Sequence, residues 1–424
     1  MQQTTAAGRE TAQVRTLPNG IKVLLEPLPY LRTVTAGAWI KAGSGNEAAE
    51  VGGISHFLEH LFFKGTETRS AHDLMAAIER RGGHMNAFTS RDYTCIYLKT
   101  LDTHIASGIE ILGDILKNSQ FLDFEKERNV ILEEISSIED VPEDFIHDIY
   151  AERHWPEHPI GRPVTGTIET VSAITLEDVR RYYSEWYRPD NMLLAVVGNF
   201  EPEAVYRQIE EEFGSFPTLA VPGRPAAPRF GAGLEFVEQD ISQDHVVFGF
   251  PGTTGENPDR YVYEMVSSIL GGGSTSRLFE KVREEAGLAY SIYTFTSSYF
   301  STGTLGVYAA VAPENINQAI DLCAEQLRDL RDVPVGEEEL SLNREQLKGG
   351  VLMALESTSN RMSRLAKSTM YHGRVLSVDE ILASIDAVTP EDVQRVAQKM
   401  FRRENATSII MGPKDGRRVE DLPL

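Results

Sequence analysis

The chain has 424 residues, 41% hydrophobic and 25% charged, with 63 acidic against 41 basic side chains and a formal net charge of −22. That balance opposes nucleic-acid binding, because phosphates are held by Lys and Arg patches. No run approaches the ~18 apolar residues that would suggest a membrane span, and the length suits two domains of about 200 residues each.

From the amino end, residues 1–13 are polar, carry Arg9 as their one basic residue, and lack the apolar core of a secretory leader. The only cysteines, Cys95 and Cys323, lie in separate apolar segments and read as reduced core thiols, in keeping with a cytoplasmic protein. Residues 20–26 and 33–40 read as strands.

After them comes His56-Phe57-Leu58-Glu59-His60. Ile54, Phe57, Leu58, Leu61 and Phe62 recur at three- and four-residue spacing, which predicts an amphipathic helix of about three turns. His56 and His60 then sit one turn apart with Cβ atoms roughly 5–6 Å from each other. Both imidazoles can reach a single tetrahedral Zn²⁺, at about 2.0–2.1 Å per bond. Glu59 can project over the same face and take a proton from an attacking water. The order H-x-x-E-H inverts the commoner H-E-x-x-H and is the inverzincin signature. The plain alternative is a pair of solvated histidines. The apolar surroundings count against it, because polar groups on a largely buried helix need a partner and a metal supplies one.

Residues 85–89 and 94–98 read as a strand pair, and residues 103–117 as a helix. A hydrolytic zinc normally takes three protein ligands, and the helical stretch Phe124-Glu125-Lys126-Glu127-Arg128-Asn129-Val130-Ile131-Leu132-Glu133-Glu134-Ile135 offers the third. Glu127 and Glu134 are two turns apart on one face, Val130 and Ile131 fill the turn between, and Glu133 points about a quarter-turn away. Glu134 is assigned as the ligand. Glu127 is assigned as a carboxylate behind it, orienting a liganding histidine through the free ring N–H. A solvated face is the ordinary fate of any one glutamate on such a helix.

A proline-rich stretch around residues 216–232 reads as a linker. It divides the chain into residues 1–218, a linker at 219–232, and residues 233–424. The second part repeats the order of the first: strands at 234–237 and 245–250, a helix, a strand pair at 289–296 and 303–310, then helices beginning with 313–330. This long-period similarity suggests a duplicated unit. Strand pairs with helices in runs give an α+β class, each unit a mostly antiparallel sheet covered on one face. The second part lacks H-x-x-E-H. It has Gly271-Gly272-Gly273 at the matching place, without the spacing or lysine of a phosphate loop, and this reads as a flexible turn accommodating substrate or a neighbouring domain.

The motif, the Glu127/Glu134 pair and the block Gly83-His84-Met85-Asn86-Ala87-Phe88-Thr89 together resemble the pitrilysin-type (M16) metallopeptidases. In length the chain is similar to the short subfamily around the mitochondrial processing peptidase β subunit. Arg162-Pro163-Val164-Thr165-Gly166, Trp186 to Met192 and Val196 to Asn199 look like further family blocks. The resemblance implies an α+β sandwich repeated twice, one zinc per subunit, and cleavage of peptides. It implies that Asn86 and Ala87, in an exposed strand, pair with an extended substrate. It also implies that Arg283 and Tyr290 hold the substrate backbone and the oxyanion at the zinc of a facing subunit. A dimer enclosing a chamber follows, most simply a homodimer, with a heterodimer as the variant. The competing expectations are a non-catalytic core or partner subunit and a zinc amidohydrolase acting on small metabolites. The acidic balance suits solubility and favours basic peptides by long-range attraction.

Overall fold

The computed structural model describes residues 12–413 and 423–424. The leader expectation for residues 1–13 thus falls almost wholly outside the described residues. The first half runs β1 (Gln13–Thr16), β2 (Lys22–Pro27), β3 (Thr33–Ile40), α1 (Ile54–Phe62), α2 (Ala71–Glu79), β4 (His84–Thr89) and β5 (Thr94–Leu101). It continues through α3 (Ile105–Asn118), α4 (Phe124–Glu139), α5 (Pro142–His154), α6 (Ile168–Ala173), α7 (Leu176–Trp186), β6 (Met192–Gly198) and α8 (Pro202–Phe213). Residues 217–232 contain no helix or strand. The second half opens with β7 (Gly233–Glu238), β8 (Asp244–Pro251), α9 (Arg260–Gly271), a π-helical segment Phe279–Glu285, β9 (Ala289–Ser298) and β10 (Gly303–Val311). It closes with α10 (Ile316–Asp332), α11 (Glu337–Ala354), α12 (Thr358–His372), α13 (Val378–Asp386), α14 (Pro390–Met400) and β11 (Thr407–Gly412). Among the described residues no helix is long and apolar enough to cross a membrane.

The strands form two sheets, ordered β1-β2-β6-β3-β5-β4 and β7-β11-β8-β10-β9. Apart from β1, the two correspond strand for strand. Each holds one parallel pair, β2 with β6 and β7 with β11, among antiparallel neighbours. The α+β class with mostly antiparallel sheets is therefore observed. A local repeat accompanies the shared topology. Thr175-Leu-Glu-Asp-Val before β6 matches Thr389-Pro-Glu-Asp-Val before β11, and Arg188 and Asn191 match Arg402 and Asn405 at the same offset. In both copies the threonine caps its helix by accepting from the N–H of the aspartate three residues on.

Each sheet buries one face against helices of its own half. Val23, Leu25, Ala36, Ala38, Ile96 and Leu98 share a core with Phe57 and Leu61 of α1 and Ile109 and Leu112 of α3. The opposite faces are covered too, which departs from the one-faced sheet expected. Leu24, Trp39, Leu193 and Ala195 of the first sheet pack against Met362, Leu365, Ala366 and Met370 of α12, a second-half helix. Reciprocally, Val247, Tyr308, Ile409 and Met411 of the second sheet pack against Ile146 and Tyr150 of α5, a first-half helix. α5 and α12 occupy the same place in the two element orders, so the halves exchange equivalent helices.

Buried polar contacts fix each exchange. Arg361 Nη1 of α12 lies 2.7 Å from Glu26 Oε1 of β2, and the Thr358 and Thr35 hydroxyls are 2.8 Å apart. On the other side His154 Nδ1 is 2.8 Å from Thr407 Oγ1, and the Tyr150 and Thr304 hydroxyls are in contact. Close approach is made possible by glycine. A Cβ on Gly249 of β8 would lie 1.9 Å from the Tyr150 hydroxyl oxygen, and one on Gly37 of β3 would lie 2.7 Å from Met362 Sδ. Gly249→Ala should therefore displace α5 and cost about 1–3 kcal/mol, as overpacking does. Calorimetry should show a melting temperature lowered by about 1–3 °C; an unchanged value would mean the exchanged helix is not so tightly seated.

Candidate metal centre

α1 begins at a constrained point. Gly53, its N-cap, has φ of 91°, and a Cβ there would lie 2.5 Å from Thr165 O. A side chain at this position would be both strained and blocked. The first turn's free N–H groups are met by Glu47, whose two carboxylate oxygens accept from Gly53 N–H at 2.7 Å and Ser55 N–H at 2.8 Å. Burial pushes the Glu47 carboxyl up to about 7, against the pull of those hydrogen bonds. Ile54, Phe57, Leu58, Leu61 and Phe62 are all buried, so the helix is held along its length.

His56 and His60 project from this helix with ring centroids 4.7 Å apart. Glu134 reaches them from α4. Its Oε1 lies 3.7 Å from His56 Nε2, and its Oε2 lies 3.6 Å from His60 Nε2. One ligand atom from each of the three lies within 4.8 Å of the others. Donors at about 2.0–2.1 Å around a tetrahedral zinc are themselves about 3.3–3.4 Å apart. Two imidazoles and one carboxylate at these spacings therefore fit Zn²⁺ with small adjustments.

Glu127 is buried and sits behind His60, with Oε2 3.4 Å from His60 Nδ1 and Oε1 2.8 Å from Lys64 Nζ. This leaves His60 Nε2 pointing at the ligand cluster. The seven-residue spacing thus brings both α4 glutamates to one imidazole, while Glu133 and Val130 face outward. The electrostatics match a cation site. Burial, and then the neighbouring His60 charge, hold His56 below the ordinary imidazole value and so favour its neutral, ligand-competent form. Burial pulls His60 down as well, but Glu134 and Glu127 outweigh it and leave it raised. The hydrogen bond to His60 holds Glu134 low.

Glu59 lies on the same helix, and its Oε2 accepts a 2.6 Å hydrogen bond from the Thr89 hydroxyl. Burial raises its carboxyl, partly offset by Thr89 and by His60. β4 is the edge strand of the first sheet, so one side of its backbone has no strand partner, although Ala87 N–H donates to Asn86 Oδ1 at 2.9 Å. On it Asn86 is exposed, while the Ala87 side chain points into the core. Beside α4 is a cavity of about 190 Å³ whose lining combines Ile135, Ile138 and Ile149 with Glu139, Asp148 and Glu152.

Arg283 and Tyr290 are together but elsewhere, on the π-helical segment and β9 of the second half. The Arg283 guanidinium lies 5.6 Å from the Tyr290 ring centre and 4.6 Å from that of Phe279. Tyr290 is 80% exposed. Among the described residues no hydrogen bond or ion pair joins either to the metal cluster. Of the glycines at 271–273, Gly271 ends α9 and packs closely on β9, where a Cβ would lie 2.6 Å from Thr294 N, while Gly272 and Gly273 follow outside any helix or strand. Sequence reasoning also missed Glu47 and Thr89. The only signal for Glu47 was an acidic residue upstream of a helix start, and a lone threonine at a strand end carries none.

Comparison with known proteins agrees with this geometry. Residues 22–168 match the family described as insulinase (peptidase family M16), and residues 173–347 match the M16 inactive domain. An uncharacterised zinc protease of Streptomyces coelicolor is 39% identical over 96% of this chain and 91% of its own length. The chain belongs to the M16 peptidase family. A second uncharacterised M16 relative, a zinc protease of Bacillus subtilis, is 36% identical over 93% of this chain and 97% of its own. In fold the chain is similar to a protease from Helicobacter pylori, with a TM-score of 0.89 at 23% identity over 95% of this chain and 100% of that one. It is also similar to a chain of complex III2 from Candida albicans, with a TM-score of 0.85 at 19% identity over 94% and 95%. The inactive-domain match falls mainly on the half without H-x-x-E-H.

If Glu127 orients His60, Glu127→Gln should weaken zinc binding roughly 10–100-fold, the usual effect of losing such a partner. Competitive titration against a chelating dye would measure it, and unchanged affinity would reduce Glu127 to a partner of Lys64.

Proposed function

We propose that this chain is a zinc-dependent endopeptidase that cleaves oligopeptides or small unfolded polypeptides inside a chamber formed by a dimer. The carrying observation is the convergence of His56, His60 and Glu134 from two helices, with Glu59 beside them. Residues 1–218 are the metal-bearing domain, 219–232 the linker, and 233–424 the homologous domain without a metal motif. Two free, buried cysteines suit a cytoplasmic location.

When bound, zinc lowers the pKa of water and polarises the scissile carbonyl. His56, His60 and Glu134 hold it. Glu59 takes the proton of the attacking water and delivers it to the departing amine, a role its raised carboxyl suits. The outer edge of β4 at Asn86 and Ala87 receives the substrate backbone as an added strand, displacing Asn86 Oδ1 from the Ala87 N–H, which fixes the scissile bond without demanding one sequence. The cavity beside α4 combines apolar walls with three carboxylates, so it suits a side chain with an aliphatic stem and a cationic tip. Tyr290, with Arg283 behind it, offers hydrogen bonds to the tetrahedral oxyanion. Its exposure, and its separation from the cluster of its own chain, support action on the partner subunit.

The likeness to a complex III2 chain supports a second reading, a non-catalytic core or partner subunit. The intact ligand set and base weigh against it.

Glu59→Gln should retain zinc and lose at least about 100-fold in turnover on a quenched peptide; near-normal turnover would refute the base. Co-expressed Glu59→Gln and Tyr290→Phe chains test the shared site. Each variant alone should be nearly inactive. Mixed dimers should recover activity, since one site then has an intact Glu59 and the partner's intact Tyr290. No recovery in purified mixed dimers would place both residues in one chain's site.

A further inference from the structure

We infer that Thr89 is the positioning residue for Glu59, fixing one carboxylate oxygen so that the other is left for proton transfer. The inference rests on Glu59 being the base. Along β4, Met85 and Ala87 are buried in the core shared with α1, and Thr89 continues that alternation. Its hydroxyl therefore arrives on the α1 side of the sheet, 2.6 Å from Glu59 Oε2. A glutamate on a helix has three side-chain torsions, and a proton relay needs its acceptor held to a fraction of an ångström. Among the described residues, the Thr89 hydroxyl is the only side-chain donor to the Glu59 carboxylate within hydrogen-bond distance.

The turn that follows is anchored far beyond what a hairpin requires. Ser90 N–H to Tyr93 O, at 2.8 Å, already closes it. Yet Ser44 N–H donates to Ser90 O at 3.1 Å, Gly45 N–H donates to Arg91 O at 2.8 Å, and Arg91 Nε donates to Ile160 O at 2.7 Å. The buried Asp92 then crosses to the second half. Its Oδ2 accepts from Phe300 N–H at 2.8 Å and from the Tyr371 hydroxyl at 2.9 Å. Four separate segments, at residues 44–45, 160, 300 and 371, thus immobilise the end of the strand that carries Thr89. The second half, which has no zinc motif of its own, thereby braces the first half's base within one chain.

The test uses full-length protein with Thr89→Val, which keeps the shape and removes the hydroxyl, and Thr89→Ser, which keeps the hydroxyl. Zinc content, melting temperature, kcat and KM are measured on one quenched peptide. Thr89→Val should bind a full complement of zinc, melt near wild type and lose about 10–100-fold in kcat, with KM within about twofold, as expected for one hydrogen bond to a charged group. Thr89→Ser should stay within about threefold of wild type. Thr89→Val with wild-type kcat, or Thr89→Ser as slow as Thr89→Val, would overturn the assignment. Should Thr89→Val misfold, Thr89→Ala takes its place under the same criteria. Wild-type enzyme that cleaves no peptide would remove the reading of Glu59 on which this rests, an outcome distinct from failure of Thr89 alone.

Discussion

Everything chemical in this molecule depends on keeping two helices at a fixed separation. α1 contributes two imidazoles and α4 contributes one carboxylate, and neither helix alone completes a coordination sphere. Two imidazoles and a carboxylate are brought into a partly buried space, so the fold must offset the desolvation of polar side chains there. It does so by burying the apolar stripe of α1, capping its start with Glu47, and placing Glu127 between His60 and Lys64. The result is one imidazole, His56, biased toward its neutral form and a carboxylate, Glu134, biased toward its ionised form, with His60 held between Glu134 and Glu127.

The second constraint is the division of labour between the halves. Their sheets share one strand order, yet only the first carries the metal ligands. The second half contributes support instead. α12 covers the outer face of the first sheet, and Phe300 and Tyr371 grip the turn after β4. Of the two units with one strand order, the first carries the candidate metal ligands and the second packs against it, with Tyr290 exposed on its edge strand.

Much of this was legible in the sequence because it depends on short-range periodicity. The 3.6-residue pattern around His56 and His60 fixed α1 and its buried face, and two turns between Glu127 and Glu134 fixed their common direction. Strand pairs and long helices were recognisable by apolar runs between breakers. What was not legible depends on tertiary partners. An amphipathic helix announces that one face is buried but not against which sheet, so the exchange of α5 and α12 left no trace in composition. Gly271 read with its neighbours as part of a loose turn because glycine is permissive, whereas its missing side chain lets the end of α9 meet β9. The short edge strand β1 was too brief to stand out from a polar amino-terminal segment. The Thr-x-Glu-Asp-Val repeat before β6 and β11 was present in the letters and is the clearest local record of duplication.

The exchanged helices also set a timetable for synthesis. The last strand of the first sheet, β6, ends at Gly198, whereas α12 ends at His372. At ordinary ribosomal rates that interval is roughly ten to thirty seconds. Until α12 has been made, Trp39, Leu24 and Leu193 lack the helix that covers them in the folded chain. Completion of the half that carries the histidine pair is thereby tied to synthesis of the chain through residue 372.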